Sequence, residues 1–232
     1  MAYKIFNIDK LGQITVYKRK GTKRLSLKVV NDNIRITQPF WMPYAASIKF
    51  AKDNKEWIDQ QSAKYNSRLY TNNHIIGKQH LLNFLPGQNL RTRIKSGKIE
   101  VYVPVHLSSS HPDVQKITIS AVKRALKKEA DTELPKRIQD IASKHHYNYH
   151  SIKTKSMKSR WGSCTNQNII TLNIYLMMVP WELIDYVILH ELVHTHHLNH
   201  SKQFWEEISS IMPNYKERKN LLKQQQQNAF VA

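Results

Sequence analysis

Eleven residues constrain this chain more than any others: HELVHTHHLNH, positions 190 to 200. They hold five of its twelve histidines. On a helix over residues 181–198, at 100° per residue, Leu183, Ile184, Val187, Ile188, Leu189, Leu192, Val193 and Leu198 leave almost no polar face. Such a helix belongs inside a core. Glu191 is carried inside with it, and an ionised carboxylate there is costly unless it is paired, hydrogen-bonded or near a cation.

His190 and His194 are four residues apart and share a face, so both imidazoles can reach one ion. His196 points to the opposite side. His197 lies on the correct face, but on an unbroken helix it stands about 10 Å along the axis from His190. His200 converges with the first two if the helix stops before it. Asn199 suits such a stop because asparagine tolerates the left-handed conformation, and Ser201 can cap the next helix. The expected ligands are therefore His190, His194 and His200, with Glu206 or Glu207 in reserve. Three protein ligands leave one position open for water, the arrangement of a catalytic site rather than a structural one. Glu191 is the expected general base for that water. One Zn2+ per chain is the expected cofactor, with another divalent transition metal as the alternative.

The chain has 232 residues, enough for one large domain or two small ones. No apolar run approaches the length of a membrane span, the first residues do not resemble a signal peptide, and Cys164 has no second cysteine to pair with. A reducing, cytoplasmic location is the expectation. Thirty-six Lys and Arg against 17 Asp and Glu leave a net charge of +19. That excess favours anionic partners, nucleic acid among them, without selecting one.

Strands are expected at 14–19, 24–30 and 33–38, followed by a helix over 43–66 with Ile48, Ala51, Trp57 and Ile58 on one face. Two more strands are expected at 80–84 and 98–105. A long helical stretch covers 112–145, with Pro135 as a turn or kink. An apolar strand is expected over 168–179, and helices over 181–198 and 202–212. No internal repeat is visible. A boundary is placed near residues 106–112, where LSSSHPD interrupts the pattern.

HExxHx5H followed by SxxFW (201–205), with RWGSC (160–164), LN (172–173), PxxxIDYV (180–187) and PxYKxR (213–218), resembles the YgjP-like metal-dependent hydrolases. These are zincin-type metallopeptidases related to the SprT-like proteases. The resemblance implies an α+β fold. A strand-rich N-terminal region with one helix would span 1–110. A zincin-like domain would span 111–232, its metal-binding helix packed on a mixed sheet. It also implies zinc on His190, His194 and His200 with Glu191 as base. Candidate substrate contacts are Arg160, Ser163, Asn173 and Tyr215. Trp161 reads as a packing anchor and Cys164 as a buried thiol or an occasional fourth ligand. The strand at 168–179 reads either as an edge for an extended peptide or as a core strand.

Three functions remain open on these residues. The first is a metallopeptidase acting through metal-activated water. The second is a nucleotide phosphoanhydride hydrolase using the same site. The third is a basic DNA-associated protein or protease. The expected partners are accordingly a peptide, protein or nucleotide, with nucleic acid as a further one and no membrane.

Overall fold

A computed structural model describes residues 2–30, 33–66 and 69–229 and divides into two units, Met1–Leu69 and Tyr70–Ala232. The division falls after Leu69, not at 106–112. The physical reason lies in residues 74–103, which form a sheet whose inner side chains Ile76, Leu82, Ile99 and Val101 share one buried cluster with the long helix that follows.

The first unit is a four-stranded sheet in the order β1-β2-β4-β3: β1 Ala2–Ile8, β2 Gly12–Arg19, β3 Ser26–Val30 and β4 Asn33–Pro39. Alternation along β2 and β4 turns Ile14, Val16, Ile34 and Ile36 to one face. These cluster with Ala51 of α1 (Tyr44–Asp53) and Ile58 of α2 (Lys55–Asn66). The single helix expected over 43–66 is thus two, broken at Asn54, whose side chain donates to the Phe50 carbonyl. Trp57 stays outside that cluster, 41% exposed. β1 was not anticipated.

The second unit opens with a sheet in the order β5-β6-β8-β7: β5 His74–Ile76, β6 His80–Pro86, β7 Arg91–Lys95 and β8 Lys98–Val103. Its pairing senses repeat those of the first sheet, antiparallel at both outer pairs and parallel at the central one. A structural repeat therefore exists where the sequence displays none. The helix α3 runs unbroken from Pro112 to His145 with Pro135 inside it. Val114, Thr118, Ala121, Val122, Ala125, Leu126, Leu134 and Ile138 recur at helical spacing along its buried side. Glu129 is buried on that side, accepting from the backbone N–H groups of Lys78 and Gln79 and pairing with His80. A Cβ at Gly77 would fall 2.2 Å from the Glu129 carboxylate, so the loop approaches the helix only because residue 77 is glycine.

A second, three-stranded sheet has the order β10-β11-β9: β9 Ser151–Lys155, β10 Gly162–Cys164 and β11 Ile169–Asn173. β11 is central, which removes the edge-strand reading of 168–179, and it ends at Asn173. There the Asn173 side chain accepts from Tyr175 N and starts a 3-10 turn, Ile174–Met178. The fold is α+β. Pro180 then leads into α4, Trp181–Val193, which Arg137 of α3 grips through both oxygens of Asp185 at 2.6 Å. α5 is Lys202–Ile211 and α6 is Tyr215–Ala229. Among the described residues no helix is long and apolar enough to cross a membrane.

Candidate metal centre

α4 is buried nearly all round, as its composition requires. It ends earlier than residue 198. Val193 is its last residue and His194 its C-cap, and the Thr195, His196 and His197 amides close back on Leu192 and Val193. This early turn brings His200 back over the helix end. Ser201 caps α5 by accepting from Phe204 N, so the return is fixed from both sides.

Ligand atoms of His190, His194 and His200 all lie within 4.8 Å of one another, and the Nε2 atoms of His190 and His200 are 3.1 Å apart. His194 Nδ1 donates to the His197 carbonyl at 2.9 Å, which fixes the tautomer and leaves Nε2 as its lone-pair nitrogen. Phe204, fully buried, has its ring centroid 4.7–5.0 Å from all three imidazoles, and Trp205 stacks on His200. Burial, the neighbouring His194 and His200 rings and the Lys219 ammonium hold His190 down to about 3. Burial, His194 and Lys219 also lower His200. Neutral imidazoles are the form that ligates a metal. Three imidazoles presenting nitrogens within 4.8 Å of one another fit a divalent transition metal.

The other two histidines have a different task. His196 Nδ1 and His197 Nε2 donate to the two oxygens of Glu207, at 3.0 and 2.8 Å, and Tyr147 donates to the same carboxylate. Glu207 is thereby committed to clamping the turn against α5. Lys202 pairs with Glu206. Neither glutamate joins the His190, His194 and His200 group.

Glu191 is 5% exposed. Burial pushes its carboxyl up to about 8, with the Arg160 guanidinium pulling the other way. A Cβ at Gly162 would lie 2.5 Å from Glu191 Oε1 and 2.7 Å from its Cγ. Gly162 of β10 is therefore the surface against which the carboxylate rests, a role the RWGSC reading did not give it. The bare side of a glycine cannot be seen in sequence without knowing what faces it. Gly162→Ala should displace the carboxylate and lower turnover by about a hundredfold with metal content unchanged. Paired kinetics and metal analysis would check that split.

Two clefts meet at Glu191. One, of about 360 Å³, includes Arg160, Ser163, Cys164, His194 and His200 in its lining. The other, of about 500 Å³, includes Arg160, Trp161, Tyr186, Lys219 and Lys223, and both share Gly162, His190 and Glu191. Arg160 and Ser163 are thus where a substrate contact should be. Asn173 is not. It is fully buried, and its amide donates to the Met157 and Arg160 carbonyls at 2.9 and 2.8 Å. With its oxygen accepting from Met157 N and Tyr175 N, it holds the loop that carries Arg160. Asn173→Ala should cost about 3 kcal/mol of stability by leaving those groups unsatisfied, measurable by urea unfolding. Tyr215 does not line either of these clefts, and its ring stacks on Trp205, with centroids 5.4 Å apart. Trp161 is buried in the core as expected. Cys164 lies in the cleft outside the ligand group, and burial, with Glu191 nearby, raises its thiol to about 11.

The sequence model of a family described as YgjP-like, metallopeptidase domain, matches residues 23–225. Among curated proteins no match is found. Among solved structures, the metallopeptidase zymogen abylysin of Pyrococcus abyssi is 20% identical, covering 40% of this chain and 95% of its own, with a TM-score of 0.38. The metallopeptidase zymogen jannalysin of Methanocaldococcus jannaschii is 25% identical, covering 40% of this chain and 97% of its own, with a TM-score of 0.37.

Proposed function

This chain belongs to the YgjP-like metallopeptidase domain family, and from that membership and the site's geometry we propose that it is a zinc-dependent peptidase. The observation that carries the reading is the convergence of three imidazoles and one buried carboxylate on a single pair of clefts. His190, His194 and His200 would hold the ion. Zinc so held acidifies water and polarises a carbonyl oxygen. Glu191, pressed against Gly162, accepts the proton of the attacking water and passes it to the leaving amine. Arg160, lining both clefts, is placed to stabilise developing negative charge.

β10 is an edge of its sheet and contributes Gly162, Ser163 and Cys164 to the smaller cleft. An extended peptide can pair with that edge, which no other strand covers among the described residues, and so be laid across the site. A second reading keeps the site and changes the bond to a nucleotide phosphoanhydride, and the cationic lining of the larger cleft favours it. The two are separated by offering zinc-loaded protein unfolded casein and nucleoside triphosphates in parallel, with Glu191→Gln as blank. New peptide termini that vanish in the blank support the peptidase. Pyrophosphate release without peptide cleavage would overturn it.

A further inference from the structure

The larger cleft has a chemical character that the hydrolytic machinery does not explain. Arg160 reaches it from the loop before β10, and Lys219 and Lys223 from α6. Leu222 of α6 is buried in the core cluster, which pins that helix and holds residues 219 and 223, one turn apart, at the cleft wall. Lys219 is fixed further: its ammonium lies 4.3 Å from the centroid of Trp205, whose ring stacks on His200. An excess of base over acid leaves many surface cations unpaired, so lack of a partner alone would mean little. Position is the stronger fact. These three line one recess of about 500 Å³, Glu191 is the only carboxylate in its lining, and none of the three forms an ion pair among the described residues. By contrast Lys127, Arg137 and Lys202 each have an acidic partner. Gathering cations beside a metal-ligand group is electrostatically unfavourable until an anion joins them.

We propose that Arg160, Lys219 and Lys223 form an anion-binding subsite that seats a carboxylate or phosphate group of the substrate next to the bond that is cut. The inference rests on the hydrolase reading of the adjacent site. For a peptide, the anion is its terminal carboxylate, which makes the enzyme one that trims chain ends. For a nucleotide, it is the phosphate chain.

The test measures binding in zinc-loaded Glu191→Gln protein by calorimetry, so that it does not depend on turnover. The probes are the tripeptide Ala-Leu-Ala with a free carboxylate, its C-terminal amide, and inorganic tripolyphosphate. They are compared in the Lys219→Gln/Lys223→Gln background and in one carrying Lys202→Gln, which lies outside the cleft. A free acid bound at least about tenfold more tightly than the amide, with that gap closed by the cleft substitutions alone, establishes the subsite with a carboxylate ligand. Tripolyphosphate binding weakened about a hundredfold by the same pair establishes it with phosphate. Should loss of the Lys219–Trp205 contact unfold the double variant, Lys223→Gln alone carries the comparison, with about a tenfold effect expected. Equal affinity for acid and amide, together with tripolyphosphate binding unmoved by the cleft substitutions, overturns the proposal. So does an acid–amide gap that survives them while tripolyphosphate binding is likewise unmoved. Casein cleavage by the wild-type protein is scored separately, so a subsite without peptidase activity and a peptidase without a subsite are distinct results.

Discussion

Glu191→Gln should abolish turnover, by at least about a thousandfold, while the protein keeps its fold and its metal. The amide matches the carboxylate in size, so the contact with Gly162 survives and no cavity opens. What is lost is the basic oxygen that takes and returns the proton. Removing a carboxyl from a site where it is 5% exposed also removes a group that burial disfavours in its charged form, so thermal stability should hold or rise. A structural or purely nucleic-acid-binding protein predicts no such division between activity and stability. The check is a side-by-side measurement of turnover, melting temperature and metal stoichiometry.

The second large effect concerns the ligands themselves. His194→Ala should lower metal affinity by more than about a hundredfold, since replacing even an outer-shell partner of a ligand costs ten- to a hundredfold. Phe204 should feel the loss too, because it packs against all three imidazoles. His197→Ala provides the contrast. It breaks a bond to Glu207 that clamps the turn, and so should lower stability by about 1 kcal/mol with the metal still bound. Equilibrium dialysis against zinc and thermal unfolding, run on both variants, separate a ligand from a brace within a single histidine cluster.

That contrast also marks how far the sequence could be read. The three proposed ligands and the proposed base come from eleven consecutive residues, where helix periodicity and one reversal of direction decide which side chains meet. Even there the helix ends at Val193, several residues before the expected stop, because the backbone turns through 194–197 before Asn199 is reached. The rest of the site depends on what packs against what. Gly162 matters only because Glu191 approaches it from another element. Asn173 was expected as a substrate contact, yet its four hydrogen bonds are internal. Lys219 and Lys223 reach the cleft because Leu222 anchors their helix, a placement that sequence alone does not reveal.

The fold divides in the same way. α3 and α4 were legible because long buried stripes carry a strong period. β7 was missed because RTRIK alternates charge with Thr92 and Ile94, so its short inward face is outweighed by its outward one. β5 has three residues, too few to declare a period. The shared order of the two four-stranded sheets escaped notice because alternation fixes strand faces without requiring the same residues.

The most direct test of the central claim is anomalous scattering at the zinc edge from crystals of the zinc-loaded protein. The account predicts one peak about 2.1 Å from a nitrogen of each of His190, His194 and His200, with no fourth side chain at the ion. A peak elsewhere, or one closed by Cys164, Glu206 or Glu207, would contradict it.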